Sequence, residues 1–111
     1  MTEKQLQSSI IELLNYSGKA YVWNINAGKI YVRNRNGKII RAVQLAPAGH
    51  SDIQGIRRSD GKFIGLEVKL PKRRKNVTDL QKAFLGQIKD AGGISAVICS
   101  PEEALEVVEG D

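Results

Sequence analysis

Cysteine occurs once in this chain, at Cys99 in the run AVICS, and histidine once, at His50. A lone cysteine cannot close an intramolecular disulfide, and in an apolar run it reads as a small core residue; nothing argues for secretion. No apolar run is long enough to span a membrane, and no apolar segment follows the start MTEKQLQ as it would in a secretory signal. The expectation is a cytoplasmic chain without a membrane partner. Repeats, low-complexity segments and linkers are missing too. With 111 residues, 41% hydrophobic and 26% charged, the chain suits one soluble domain over residues 1–111 with a modest core.

Acid is scarce over most of the length. Five of the 12 acids fall in residues 101–111, which hold no base. The first 100 residues therefore carry 17 bases against seven acids, a formal charge of +10 within a total of +5. A body so basic suits a polyanionic partner, with nucleic acid first.

The hydrophobic pattern predicts an α/β domain. Leu6, Ile10, Leu13 and Leu14 recur at helical spacing over 3–17, and Gly18 is a suitable stop. Strands are expected at 20–27, 29–35 and 38–45, the last two joined by the hairpin signal Asn36-Gly37. After a loop at 46–51, strands at 52–58 and 62–70 flank a tight turn at Asp60-Gly61. A basic loop, 71–76, leads to a helix over 77–92 with Thr78 as its N-cap. The short strand 94–100 is almost wholly apolar, which predicts burial on both faces. A last helix, 101–109, opens on Pro101 and acids that its dipole favours. The sum is a central mixed sheet flanked by helices.

One strand carries an anomaly. In FIGLEVKL, Glu67 and Lys69 are two residues apart and so share a face. A salt-bridged outer face would explain them, but burying both would be costly unless they pair or bind an ion. Antiparallel pairing across the Asp60-Gly61 turn brings Asp52 opposite the residues around 68. Two carboxylates, Asp52 and Glu67, could then share one hard cation such as Mg²⁺ or Mn²⁺. Lys69 would stand beside the attacking water or a scissile phosphate, offsetting developing charge. The cations Lys72, Arg73, Arg74 and Lys75 follow at once, placed to grip phosphates of a DNA strand.

Asp52, Glu67 and Lys69 form a D…ExK pattern similar to that of the PD-(D/E)xK nucleases, with Ser51 where those enzymes often have proline. The strings GHSDIQGI, GLEVKLPKRR, TDLQKAFLGQIKDAGG and AVICSPEEAL together resemble the VRR-NUC (virus-type replication-repair nuclease) family, over nearly the whole chain from Glu3 to Val108. The resemblance implies a restriction-endonuclease-like core in αβββαβα order and dependence on Mg²⁺ or Mn²⁺. It also implies phage-type, homodimeric nucleases that act on branched DNA, in the manner of Holliday junction resolvases. Asp52, Glu67 and the Val68 carbonyl would hold the metal, with Lys69 catalytic. The resemblance implies further an acid or amide from the first helix near the metal and a glutamine near the ExK lysine.

Helical angle supports the first of these. At about 100° per residue, Glu3 and Gln7 fall on the side of Leu6 and Ile10, and Glu12 falls opposite. Glu3 and Gln7 are thus the first-helix candidates. The glutamine is Gln81, which could equally serve Thr78 in a capping box. His50 could act as a base or touch phosphate, although the family needs no histidine there. Arg33, Arg35, Lys38 and Arg41 flank the Asn36-Gly37 turn, on a hairpin that suits a DNA arm or a dimer contact alike. Tyr21, Trp23 and Tyr31 read as core or interface anchors before stacking platforms. Rival readings are a non-catalytic basic binding module, an assembly protein, and a nuclease of the same fold acting on flaps, single strands or RNA.

Overall fold

A computed structural model of the chain describes residues 1–25, 29–44 and 48–110. The strand ends expected at 26–27 and 45, and the start of the 46–51 loop, lie outside the described residues. The chain opens with helix α1 (Glu3–Ser17), started by a reciprocal capping box between Thr2 and Gln5 and stopped by Gly18 at φ 73°. Strands β1 (Ala20–Asn24), β2 (Lys29–Arg33), β3 (Ile39–Gln44), β4 (Ile53–Arg57) and β5 (Phe63–Val68) follow. A 3₁₀ turn (Pro71–Arg73) precedes helix α2 (Asp79–Asp90), strand β6 (Ile94–Ile98) and helix α3 (Pro101–Glu109).

Four strands form one mixed sheet in the order β1-β4-β5-β6, antiparallel except for the parallel pair β5-β6. The fold is α/β, with helices on both faces of that sheet. Alternation along β5 divides its side chains. Ile64, Leu66 and Val68 are fully buried with Leu6, Ile10 and Leu14 of α1 and Ala104 and Val108 of α3. Gly65 faces α2, where a Cβ would sit 2.3 Å from the Ile88 side chain. The main core therefore lies on one side of the sheet, and α2 packs on the other against β5 and β6.

Strands β2 and β3 stand apart as a two-stranded arm. Extents of 50 × 32 × 28 Å and a radius of gyration of 15.5 Å exceed the roughly 13 Å of a compact chain this long. With the arm set aside, the body reads helix, three strands, helix, strand, helix. Two expectations are corrected. β6 is not buried on both faces: Ile94 to Val97 are half-buried, because β6 is an edge strand of the sheet. Tyr21, Trp23 and Tyr31 are not core residues, being 54%, 40% and 58% exposed.

The topology gathers helix starts at one end of the sheet. β5 and β6 run parallel and finish there, so α3, which follows β6, begins there. α1 runs back along β1, so its first turn reaches the same end. Helix N-termini carry free N–H groups and partial positive charge, which favours anions nearby.

Candidate active site

Asp52 sits one residue before β4, and Ile53 pairs with Leu66. That register carries Asp52 alongside Glu67, as the hairpin spacing predicts. Its Oδ2 accepts the Val68 N–H at 2.8 Å, and its carbonyl accepts the Ile25 N–H at 3.0 Å. Asp52 is thus fixed to β5 through its side chain where the regular β4-β5 ladder ends. The next amide along β5, that of Lys69, bonds across to Ile98 at 3.0 Å. Amides alternate in direction along a strand, so the Val68 carbonyl is directed to the Asp52 side with its N–H.

Glu67 is 2% exposed. Its Oε1 accepts a hydrogen bond from Gln81 Nε2 at 2.8 Å and lies 3.8 Å from Lys69 Nζ. Its Oε2 is buried without a hydrogen-bond partner. Burial pushes the Glu67 carboxyl up to about 8, and the Asp52 charge pushes in the same direction. Lys69 opposes the rise, while contact with Asp52 and the charge of Glu3 add to it. Two carboxylates held this close, one with an idle buried oxygen, repel each other unless a proton or a cation lies between them.

Gln81 performs both tasks that its sequence position allows. Its Oε1 accepts the Thr78 N–H at 2.9 Å while its own N–H is received by Thr78 Oγ1 at 3.1 Å. The remaining Nε2 reaches Glu67. The cap orients the amide, and the amide orients the carboxylate. Its side-chain partner is Glu67, which shares with Lys69 the face of the sheet that α2 covers.

The first-helix candidates divide. Glu3 is half-buried and close enough for its charge to act on Glu67. The Gln7 amide oxygen accepts the Asn24 side-chain N–H at the end of β1, so Gln7 braces the strand beside Asp52. Asn24 Oδ1 is left buried and unbonded. His50 is half-buried in the loop before Asp52, its Nδ1 3.1 Å from the Ser51 carbonyl. Ser51 is fully buried and donates to the Ile53 carbonyl at 3.1 Å.

Among the four basic residues after β5, Arg74 stands apart. Its guanidinium is already engaged with both carboxylate oxygens of Glu103 on α3, at 2.9 and 2.8 Å, which ties the loop to the body. Lys72, Arg73 and Lys75 are exposed.

Sequence reading missed two positioning residues. Gly49 has φ 77°, and a Cβ there would lie 2.5 Å from the Leu80 carbonyl carbon and 2.8 Å from the Gln81 nitrogen. The loop carrying Asp52 is seated directly on the start of α2. An AGH turn before an aspartate was the available signal. Arg57 is buried in β4, bonding Asp60 and the carbonyls of Val108 and Gly110. Only Asp60 among these partners is near in sequence; the two carbonyls lie 51 and 53 residues away, so no local pattern marks the clasp.

The donor set suits a hard divalent cation: two carboxylates, one of them with an unclaimed buried oxygen, and a strand carbonyl. Among the described residues, no group of three or more His, Cys, Asp and Glu side chains is placed to hold an ion. No family model matches the chain, and no curated protein matches it.

Proposed function

We propose that this chain is a divalent-metal-dependent, structure-selective endodeoxyribonuclease with a PD-(D/E)xK core of the VRR-NUC kind, acting on branched DNA. The observation that carries the reading is the joining of Asp52 and Glu67 beside Lys69, with Glu67 Oε2 buried and unpaired. A salt-bridged outer face does not account for it, because Glu67 is buried and its Oε2 has no hydrogen-bond partner.

Asp52, Glu67 and the Val68 carbonyl would hold Mg²⁺ or Mn²⁺. Such an ion supplies polarisation of a phosphate oxygen and a lowered pKa for water. Lys69 places a positive charge where negative charge grows on the phosphate. Gln81 keeps Glu67 in one orientation, and Val68 N–H does the same for Asp52. Glu3 adjusts the local charge. Lys72, Arg73 and Lys75 hold flanking phosphates without reading sequence. One such site cuts one strand, so paired cuts at a junction require a homodimer.

The test is cleavage of a labelled four-way DNA junction, with duplex and single-strand controls, in Mg²⁺, Mn²⁺ and EDTA. Expected are metal-dependent nicks that fall roughly 100-fold or more in Lys69→Ala and Glu67→Gln proteins. Tight binding without cleavage in either metal would overturn the enzyme and leave a basic binding module.

A further inference from the structure

Helix α2 covers only half of its side of the sheet. It packs on β5 and β6, and among the described residues no helix makes comparable contact with the same side of β1 and β4. Strand pairing shows which residues are left there. Trp23 pairs with Gln54 and Gln54 with Gly65, the residue that faces α2. Paired residues share a face, so Trp23 and Gln54 lie on the side of the sheet that Glu67 and Lys69 also address. Tyr21, Ile56 and Phe63 continue the same face, and all are at least 40% exposed. The rings of Tyr21 and Trp23 meet edge to face at 5.6 Å, and the Arg58 guanidinium lies 5.8 Å from the Tyr21 ring centre.

We infer that this open aromatic face is a subsite for unpaired nucleotides, with Trp23 taking a base next to the phosphate held at Asp52 and Glu67. The inference rests on the nuclease reading for its orientation, and it names the substrate class: nucleic acid with a single-stranded portion. Three observations favour it. Gln54 is two residues from Asp52, about 7 Å along the strand, and Trp23 is one strand further, about 5 Å. That separation is on the scale of one nucleotide step. Exposed aromatic rings offer stacking to any base, and a guanidinium among them adds cation–π attraction and phosphate contact. Charge also favours a nucleic acid as the occupant: Arg58 on this face and a net +5 overall attract a polyanion. A duplex keeps its bases stacked inside, so it has nothing to place on the face.

Trp23 is the only tryptophan, so its emission reports on this face alone. Unlabelled oligothymidylate or blunt duplex is titrated into the protein with Ca²⁺ in place of Mg²⁺. Tryptophan quenching by oligothymidylate, and much less by duplex, is expected. In anisotropy with labelled strands, Trp23→Ala and, separately, Tyr21→Ala should weaken single-strand binding about tenfold and duplex binding less than twofold. Tryptophan emission that ignores oligothymidylate while the protein binds it would overturn the subsite. So would emission that changes on dilution without DNA, the mark of a second copy on this face. The two readings fail separately. Quenching by a protein that never cleaves removes the nuclease and keeps the subsite; junction cleavage unaffected by Trp23→Ala, without quenching, does the reverse.

Discussion

Glu67 holds its proton to about pH 8, whereas an ordinary glutamate releases it near 4.5. Between those values the folded metal-free protein binds a proton that the unfolded chain has lost. Stability must therefore fall as pH rises through this window and level off beyond it. The difference between wild type and Glu67→Gln isolates this group. Expected is a metal-free wild type that loses a few kcal/mol from about pH 5 to about pH 8, against a flatter variant, in urea melts at each pH. Asp60 does not interfere, since Arg57 holds it down to about 2 and its contribution is lost only in acid. At the proposed site, Mg²⁺ or Mn²⁺ would take the ionised carboxylates, so added metal should raise the melting temperature more at about pH 8.5 than at about pH 6. Parallel melting curves for wild type and Glu67→Gln would show that the carboxylate is not buried as described. Gln81 permits a second separation. Glu keeps the capping box that Gln81 supplies but adds a carboxylate beside Glu67. Gln81→Glu should keep the helix start, with a loss below about 1 kcal/mol at low pH, while cleavage falls at least about tenfold.

Two glycines with the same backbone conformation distinguish the arm from the site. Gly37 and Gly49 have φ of 81° and 77°, but a Cβ on Gly37 meets nothing within 4 Å, whereas one on Gly49 strikes the backbone of α2. Gly37→Ala should cost about 1 kcal/mol, confined to the β2-β3 arm. Gly49→Ala should cost clearly more, about 2–4 kcal/mol, and lower cleavage as well, because relieving the clash moves Gln81 away from Glu67. Equal melting temperatures for the two variants would contradict the seating of the loop on α2. The arm itself forms a sheet of two strands, a size that is marginal in water. Its amides should exchange with solvent faster than those of β4 and β5 by hydrogen-exchange NMR.

At the scale of the molecule, charge and the buried Arg57 do different work. Lys72, Arg73 and Lys75 are exposed, and the role proposed for them is in binding polyanions rather than in folding. Replacing all three with alanine should lower the slope of log K against log salt by roughly 3 for duplex DNA, with stability changed by less than about 0.5 kcal/mol. An unchanged slope would remove this cluster from the nucleic-acid surface. Arg57 joins the β4-β5 turn to the end of α3 through Asp60, Val108 and Gly110. Arg57→Ala leaves those carbonyls and a carboxylate unpaired, and should cost about 2–4 kcal/mol in chemical denaturation.

The element order was legible in the sequence because it depends on local signals. The apolar spacing of Leu6, Ile10 and Leu14, the Asn36-Gly37 turn and the Thr78 cap act within a few residues. The pairing of Asp52 with Glu67 was legible for a related reason: a tight turn at Asp60-Gly61 sets the register of a hairpin. What folds at long range was not. That β6 is an edge strand, that Arg74 is engaged with Glu103, and that Arg57 clasps the far end of α3 all depend on partners at least 29 residues distant or on strand order. The sequence by itself determined which side chains share a face, since alternation along a strand is covalent geometry. Whether a helix covers that face is settled by packing, so the tertiary structure alone decided that Glu67 is buried under α2 and Trp23 is left open.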